Sequence, residues 1–160
     1  NFRDNYILST ASGAAFMNAF NSVYYSFSPQ VADYEREQPW LQATVRTALY
    51  PLFGILTAAE RSYSIADGEL GAIMAGATAS ALIGAVYLVP AGYVASRKVR
   101  IKWLVFAVSA ATAVMLVTLP FGVPSLLSIS TSAFVVATAG ASAIAAGKAI
   151  RHVARRSRNN

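Results

Sequence analysis

Two long stretches of this chain carry no charged side chain, and they decide most of what it can fold into. Residues 70–96 are 27 uncharged positions in a row, and residues 103–147 are 45. As helix, the first reaches about 40 Å, more than the roughly 30 Å hydrocarbon core of a bilayer. The second is too long for one crossing and long enough for two. Its middle, 119–125 (LPFGVPS), holds two prolines and a glycine, which interrupt helical hydrogen bonding and mark a turn. Three transmembrane helices are therefore expected, at 70–96, 103–119 and 126–147, with Pro90 as a kink point in the first.

Composition agrees. Of 160 residues, 56% are hydrophobic and 12% charged, about half the charged share of an ordinary soluble domain. A water-soluble sphere of this size cannot hide so much apolar surface behind so few charges. The same figures exclude a disordered chain, a collagen, a coiled coil and a soluble nucleic-acid module. With no cysteine, there is no disulfide scaffold, thiolate metal site or cysteine nucleophile.

The charges divide the chain. Residues 1–69 contain all seven acids and four basic residues, a net of −3, whereas residues 70–160 contain nine basic residues and no acid. The basic residues form two clusters: Arg97, Lys98, Arg100 and Lys102, then Lys148, Arg151, Arg155, Arg156 and Arg158. They punctuate the uncharged runs, the positive-inside signature of membrane loops and not the stripe of a nucleic-acid binder. Both clusters belong on the cytoplasmic side, and the two crossings between them satisfy the required parity. The expected orientation is N-terminus outside and C-terminus inside, in the cell (cytoplasmic) membrane. Residues 148–160 are a basic cytoplasmic tail, and the basic residues, Lys148 and Arg158 apart, are the candidate lipid-headgroup ligands.

Residues 1–38 are expected to form an extracytoplasmic helical cap. Ser9, Thr10 and Ser12 can start a helix in which Phe16, Phe20, Val23 and Phe27 share a face. Ser28-Pro29 reads as a break and restart. Residues 39–60 carry Trp40, Val45, Leu49, Leu52 and Leu56 as a rough stripe, and the uncharged run 47–59 reaches only about 20 Å as helix. That favours an amphipathic helix lying at the outer interface over a re-entrant segment. Asp67 is a possible N-cap to the first span.

In order along the chain stand Phe2-Arg3-Asp4-Asn5-Tyr6-Ile7-Leu8, Gly13, Ala15-Phe16, Tyr24-Tyr25, Ser28-Pro29 and Val31-Ala32-Asp33. This string resembles the CFI-box C-terminal domain family, whose pattern runs FRD-x-x-LL, G-x-x-F, YY-x-x-SP-x-x-AD. Leu41, Arg46, Leu49 and Pro51 resemble its continuation, so the likeness covers residues 2–52. It implies an extracytoplasmic segment near the C-terminus of a secreted or membrane-anchored prokaryotic protein, and it brings no catalytic residue. The cysteine-containing box that names the family is absent. The chain also begins at Asn1, so a fragment or processed product is expected.

Catalytic chemistry finds little support. The single histidine, His152, sits in the basic tail with no second histidine and no acid anywhere in residues 70–160, too few ligands for a metal site. No acid, lysine or arginine interrupts the predicted spans, whereas proton pumps and ion-coupled transporters need such groups at depth. The positive signal is small residues at four-residue spacing. Ala72, Gly76, Ser80 and Gly84 mark the first span. Ala137, Ala141 and Ala145, with Gly140, mark the third. Such faces let helices approach closely in lipid.

The sequence thus reads as an all-α integral membrane protein with an outer helical cap, one interfacial helix and three spans. The expected role is a non-catalytic accessory subunit of a larger membrane complex. The alternative is a C-terminal membrane anchor for a surface domain. Expected partners are other membrane subunits and anionic lipids, not nucleic acid. No cofactor is expected beyond structural lipid, a pigment entering only with a partner.

Overall fold

The computed structural model describes residues 8–37, 39–66 and 68–157. Residues 2–7 of the family-like string, the Asp67 cap and Arg158 lie outside the described residues, as do the side chains at 23, 27, 31, 34–37, 39, 41 and 42. Every regular element among the described residues is a helix: α1 (Ala11–Glu37), α2 (Pro39–Tyr63), α3 (Gly68–Tyr87), α4 (Val89–Ala95), α5 (Ile101–Thr118), a 3-10 turn (Leu119–Phe121) and α6 (Pro124–Arg156). Three helical segments, Gly68–Tyr87, Ile101–Phe121 and Pro124–Arg156, are long and apolar enough to cross a membrane.

The expected 70–96 span is two helices. α3 stops at Tyr87, Leu88 takes a non-helical φ of −99° and ψ of 9°, and Pro90 sits in the first turn of α4, where its missing N–H costs nothing. The 119–125 turn is present, with Gly122 closing the 3-10 turn at φ +63°, a left-handed conformation that suits glycine. The expected 148–160 tail is not separate from its span. α6 continues to Arg156, about 50 Å in all, because residues 148–156 contain no proline or glycine to stop it.

The first third departs furthest from expectation. α1 runs unbroken through Pro29, where a break was expected, and α2 passes through Pro51 as the expected 39–60 helix does. Each proline removes one backbone donor without ending its helix, since the turns on either side keep their own bonds. Nor is α2 laid across an end of the bundle. Ala59 and Tyr63 pack on Ala72, Ala75 and Ala79, the Thr78 hydroxyl donates to that of Ser62 at 2.8 Å, and the Tyr87 hydroxyl donates to the Ala48 carbonyl. Numbers that rise along α3 fall along α2, so the two helices lie side by side and antiparallel. The sequence count stopped at Glu60, but that residue is exposed and the helix goes on to the buried Tyr63.

α1 is likewise part of the bundle and not a cap upon it. Phe16 joins Met115 of α5 and Phe134 of α6 in one core cluster, backed by Ile73, Ala77, Ala111 and Val135. Its ring meets Phe134 edge-on at 5.9 Å between centroids, the favoured aromatic geometry. α1, α3, α4 and α5 all pack on α6, which is the axis of the structure.

Candidate functional site

The small residues of α3 do not form one face. Positions four apart in an α-helix advance by about 40° per step, so a stripe of four turns through about 120°. Ala72 accordingly packs toward α2. A Cβ on Gly76 would lie 2.5 Å from the Phe16 ring of α1, and one on Gly84 would lie 2.0 Å from the Ala139 carbonyl oxygen of α6. Ser80 is buried, and its hydroxyl donates to the Gly76 carbonyl of its own helix at 2.6 Å. One stripe thus serves three neighbours inside the chain.

On α6 the buried small-residue line is Ala139, Ala143 and Gly147, not the expected Ala137, Ala141 and Ala145. Ala137 and Ala141 are half-buried, Ala145 is exposed, and a Cβ on Gly140 would meet nothing within 4 Å. The two lines have equal spacing, and in so alanine-rich a helix spacing alone cannot choose between them. The seam continues along α4. A Cβ on Gly92 would lie 2.1 Å from the Ala143 carbonyl oxygen, and one on Gly147 would lie 2.6 Å from the Tyr93 amide nitrogen. Gly92 was missed in the sequence because Leu88 interrupts the four-residue series between it and Gly84.

This close seam brings the two basic clusters to one end of the bundle. A pocket of about 600 Å³ opens there, lined by Tyr93, Ser96, Arg97, Lys148, Arg151, His152, Ala154 and Arg155. The Arg151 guanidinium lies over the Tyr93 ring, 4.4 Å from its centroid, a favourable cation–π distance. Its Nη2 donates to the Tyr93 carbonyl oxygen, which also accepts from the Ser96 hydroxyl at 2.8 Å. The Arg151 Nε is buried without a hydrogen-bond partner among the described residues. Of the expected headgroup residues, Arg97, Arg151 and Arg155 line this pocket together with Lys148. Lys98, Arg100, Lys102 and Arg156 are exposed outside it. Among the described residues no group of three histidine, aspartate or glutamate side chains gathers to hold a metal.

Comparison with known proteins finds no matching family model, no similar curated protein and no similar solved structure. The site must be interpreted from its own geometry.

Proposed function

We propose that this chain is an integral membrane protein acting as a non-catalytic accessory subunit of a larger membrane complex, with its basic end toward the cytoplasm. The observation that carries this reading is the outer face of α2. Arg46 and Glu60 are both exposed there and lie 14 residues apart, about 21 Å along a helix. α2 runs beside α3, which is long and apolar enough to cross a membrane. A hydrocarbon core of about 30 Å cannot clear both charges, and a charge facing lipid is costly, reaching about 2.5–3.5 kcal/mol at the bilayer centre even on insertion scales. A neighbouring polypeptide with polar groups removes that cost. Gly140, with open space around it, supplies the small-residue contact still free to receive a partner helix, whereas Gly76 and Gly84 are used within the chain.

The membrane-anchor reading, which the CFI-box resemblance of residues 2–52 favours, is the alternative. Purification of the native protein in mild detergent, followed by mass spectrometry of what accompanies it, separates the two. Stoichiometric membrane partners lost on Gly140→Leu support the subunit. A lone protein carrying a long N-terminal extension, indifferent to that substitution, supports the anchor.

A further inference from the structure

From the pocket at the basic end we infer a binding site for a phosphate group, formed where the end of α4 meets the last turns of α6. The inference does not depend on whether the chain has protein partners.

Four cations line the pocket: Arg97, Lys148, Arg151 and Arg155. No carboxylate is among its lining residues, and none can come from residues 70–160, which contain no acid. The C-terminal ends of α4 and α6 add a partial negative charge of about one half each, so the cations still outweigh them. An uncompensated cluster of this kind is self-repelling unless an anion occupies it. Arg151 is also positioned in advance. The Tyr93 ring lies beneath its guanidinium and the Tyr93 carbonyl takes one of its donors, while its Nε has no partner among the described residues. Neutral groups thus hold the side chain and leave its charge unpaired. A planar fork fixed in this way suits the oxygens of a phosphate. The volume, about 600 Å³, falls in the range of small-ligand sites, roughly 300–1,000 Å³.

The shape of the pocket follows from the glycine seam. Gly92 and Gly147 bring the two helix backbones together, and Tyr93 and Lys148, the next residue on each helix, line the pocket. A phosphate group there could belong to an anionic phospholipid or to a soluble phosphate compound, and the chemistry of recognition is the same.

The test is native mass spectrometry of the full chain in uncharged detergent, with phosphatidylglycerol, phosphatidylcholine or inorganic phosphate added. The expected result is one phosphatidylglycerol retained per chain in preference to phosphatidylcholine, whose phosphate is paired with its own choline cation and so offers the cluster no net negative charge. Removal of each cation, by Lys148→Gln or Arg97→Gln, should weaken retention about fivefold. Neither side chain makes a hydrogen bond among the described residues, so these variants keep the test valid if Arg151→Gln does not fold. Displacement of the lipid by millimolar inorganic phosphate would assign the site to the phosphate group itself. Resistance to displacement would assign it to a lipid, whose chains add to the binding. Equal retention of the two lipids with no bound inorganic phosphate, or retention unchanged in the Lys148→Gln/Arg97→Gln double variant, would overturn the proposal.

Discussion

The carboxylate of Glu69, in the first turn of α3, accepts a hydrogen bond from the hydroxyl of Ser12, a fully buried residue 57 positions earlier in the chain. The same carboxylate takes the backbone N–H of Ala11 at 2.6 Å and that of Ser12 at 3.0 Å. The Thr10 hydroxyl takes the N–H of Gly13 at 3.1 Å, and the Thr10 carbonyl takes that of Ala14. The amide donors of Ala11, Ser12 and Gly13, which have no partner within the helix, are thereby satisfied by side chains, two of them by a side chain of another helix. Glu69→Ala strands two amides and a buried hydroxyl, and it should cost about 2–3 kcal/mol. The check is thermal unfolding in detergent, with hydrogen exchange rising first in residues 11–16. Glu60→Ala, on the exposed face of α2, should leave exchange in residues 11–16 unchanged.

Two glycines should respond in opposite directions to the same substitution. Gly84→Ala drives a methyl group into the backbone of α6, which no side-chain rotation can relieve, and should cost at least about 2 kcal/mol. Gly54 lies inside α2 with nothing within 4 Å of its added Cβ. Gly54→Ala should therefore stabilise by about 0.5–1 kcal/mol through the lost freedom of glycine. Melting temperatures of the two variants, compared in one detergent, decide it.

Gly76 and Phe16 should be coupled. Phe16→Ala empties the middle of the α1, α5 and α6 cluster and should cost about 3 kcal/mol or more. Gly76→Ala alone pushes against the Phe16 ring. In the double variant that push has nothing to meet, so the combined loss should fall short of the sum by about 1 kcal/mol. Additivity in a double-mutant cycle would contradict the packing described.

Tyr87→Phe removes the hydroxyl that ties α3 to the Ala48 carbonyl. A loss of about 1 kcal/mol is expected, confined to the first half of α2. Hydrogen exchange should rise around residues 44–50 and stay unchanged around residues 59–63, where Tyr63 is packed against Ala72 and Ala75.

The parts of the fold that depend on chain-local pattern were readable in advance. Uncharged runs bounded by arginine and lysine located the three apolar helices, Gly122 and its flanking prolines located the turn, and crossing parity brought Arg97 and Arg155 to one end. The parts that depend on rotation about a helix axis were not. Ala139 and Ala137 are equivalent in composition and spacing, and what distinguishes them is the approach of Gly84 from another helix. Pro29 was misread for a related reason. Proline is a strong breaker in an isolated helix, and tertiary packing overrides that preference. The pocket was half visible: its charges could be listed from the sequence, but the contact of Arg151 with Tyr93 joins residues 58 apart.

The position of α6 in chain order sets a timetable for assembly. Helices α1, α3, α4 and α5 all lean on it, yet it is made after every one of them. Until it is made, α1, α2 and α3 can pack on one another, but Phe16 and Met115 lack Phe134, and Gly84 and Gly92 lack the backbone they close upon. Chains stalled before about residue 147 would therefore be incompletely packed, an easy substrate for quality control. The bundle can close as a single late event once the glycine seam has its second side.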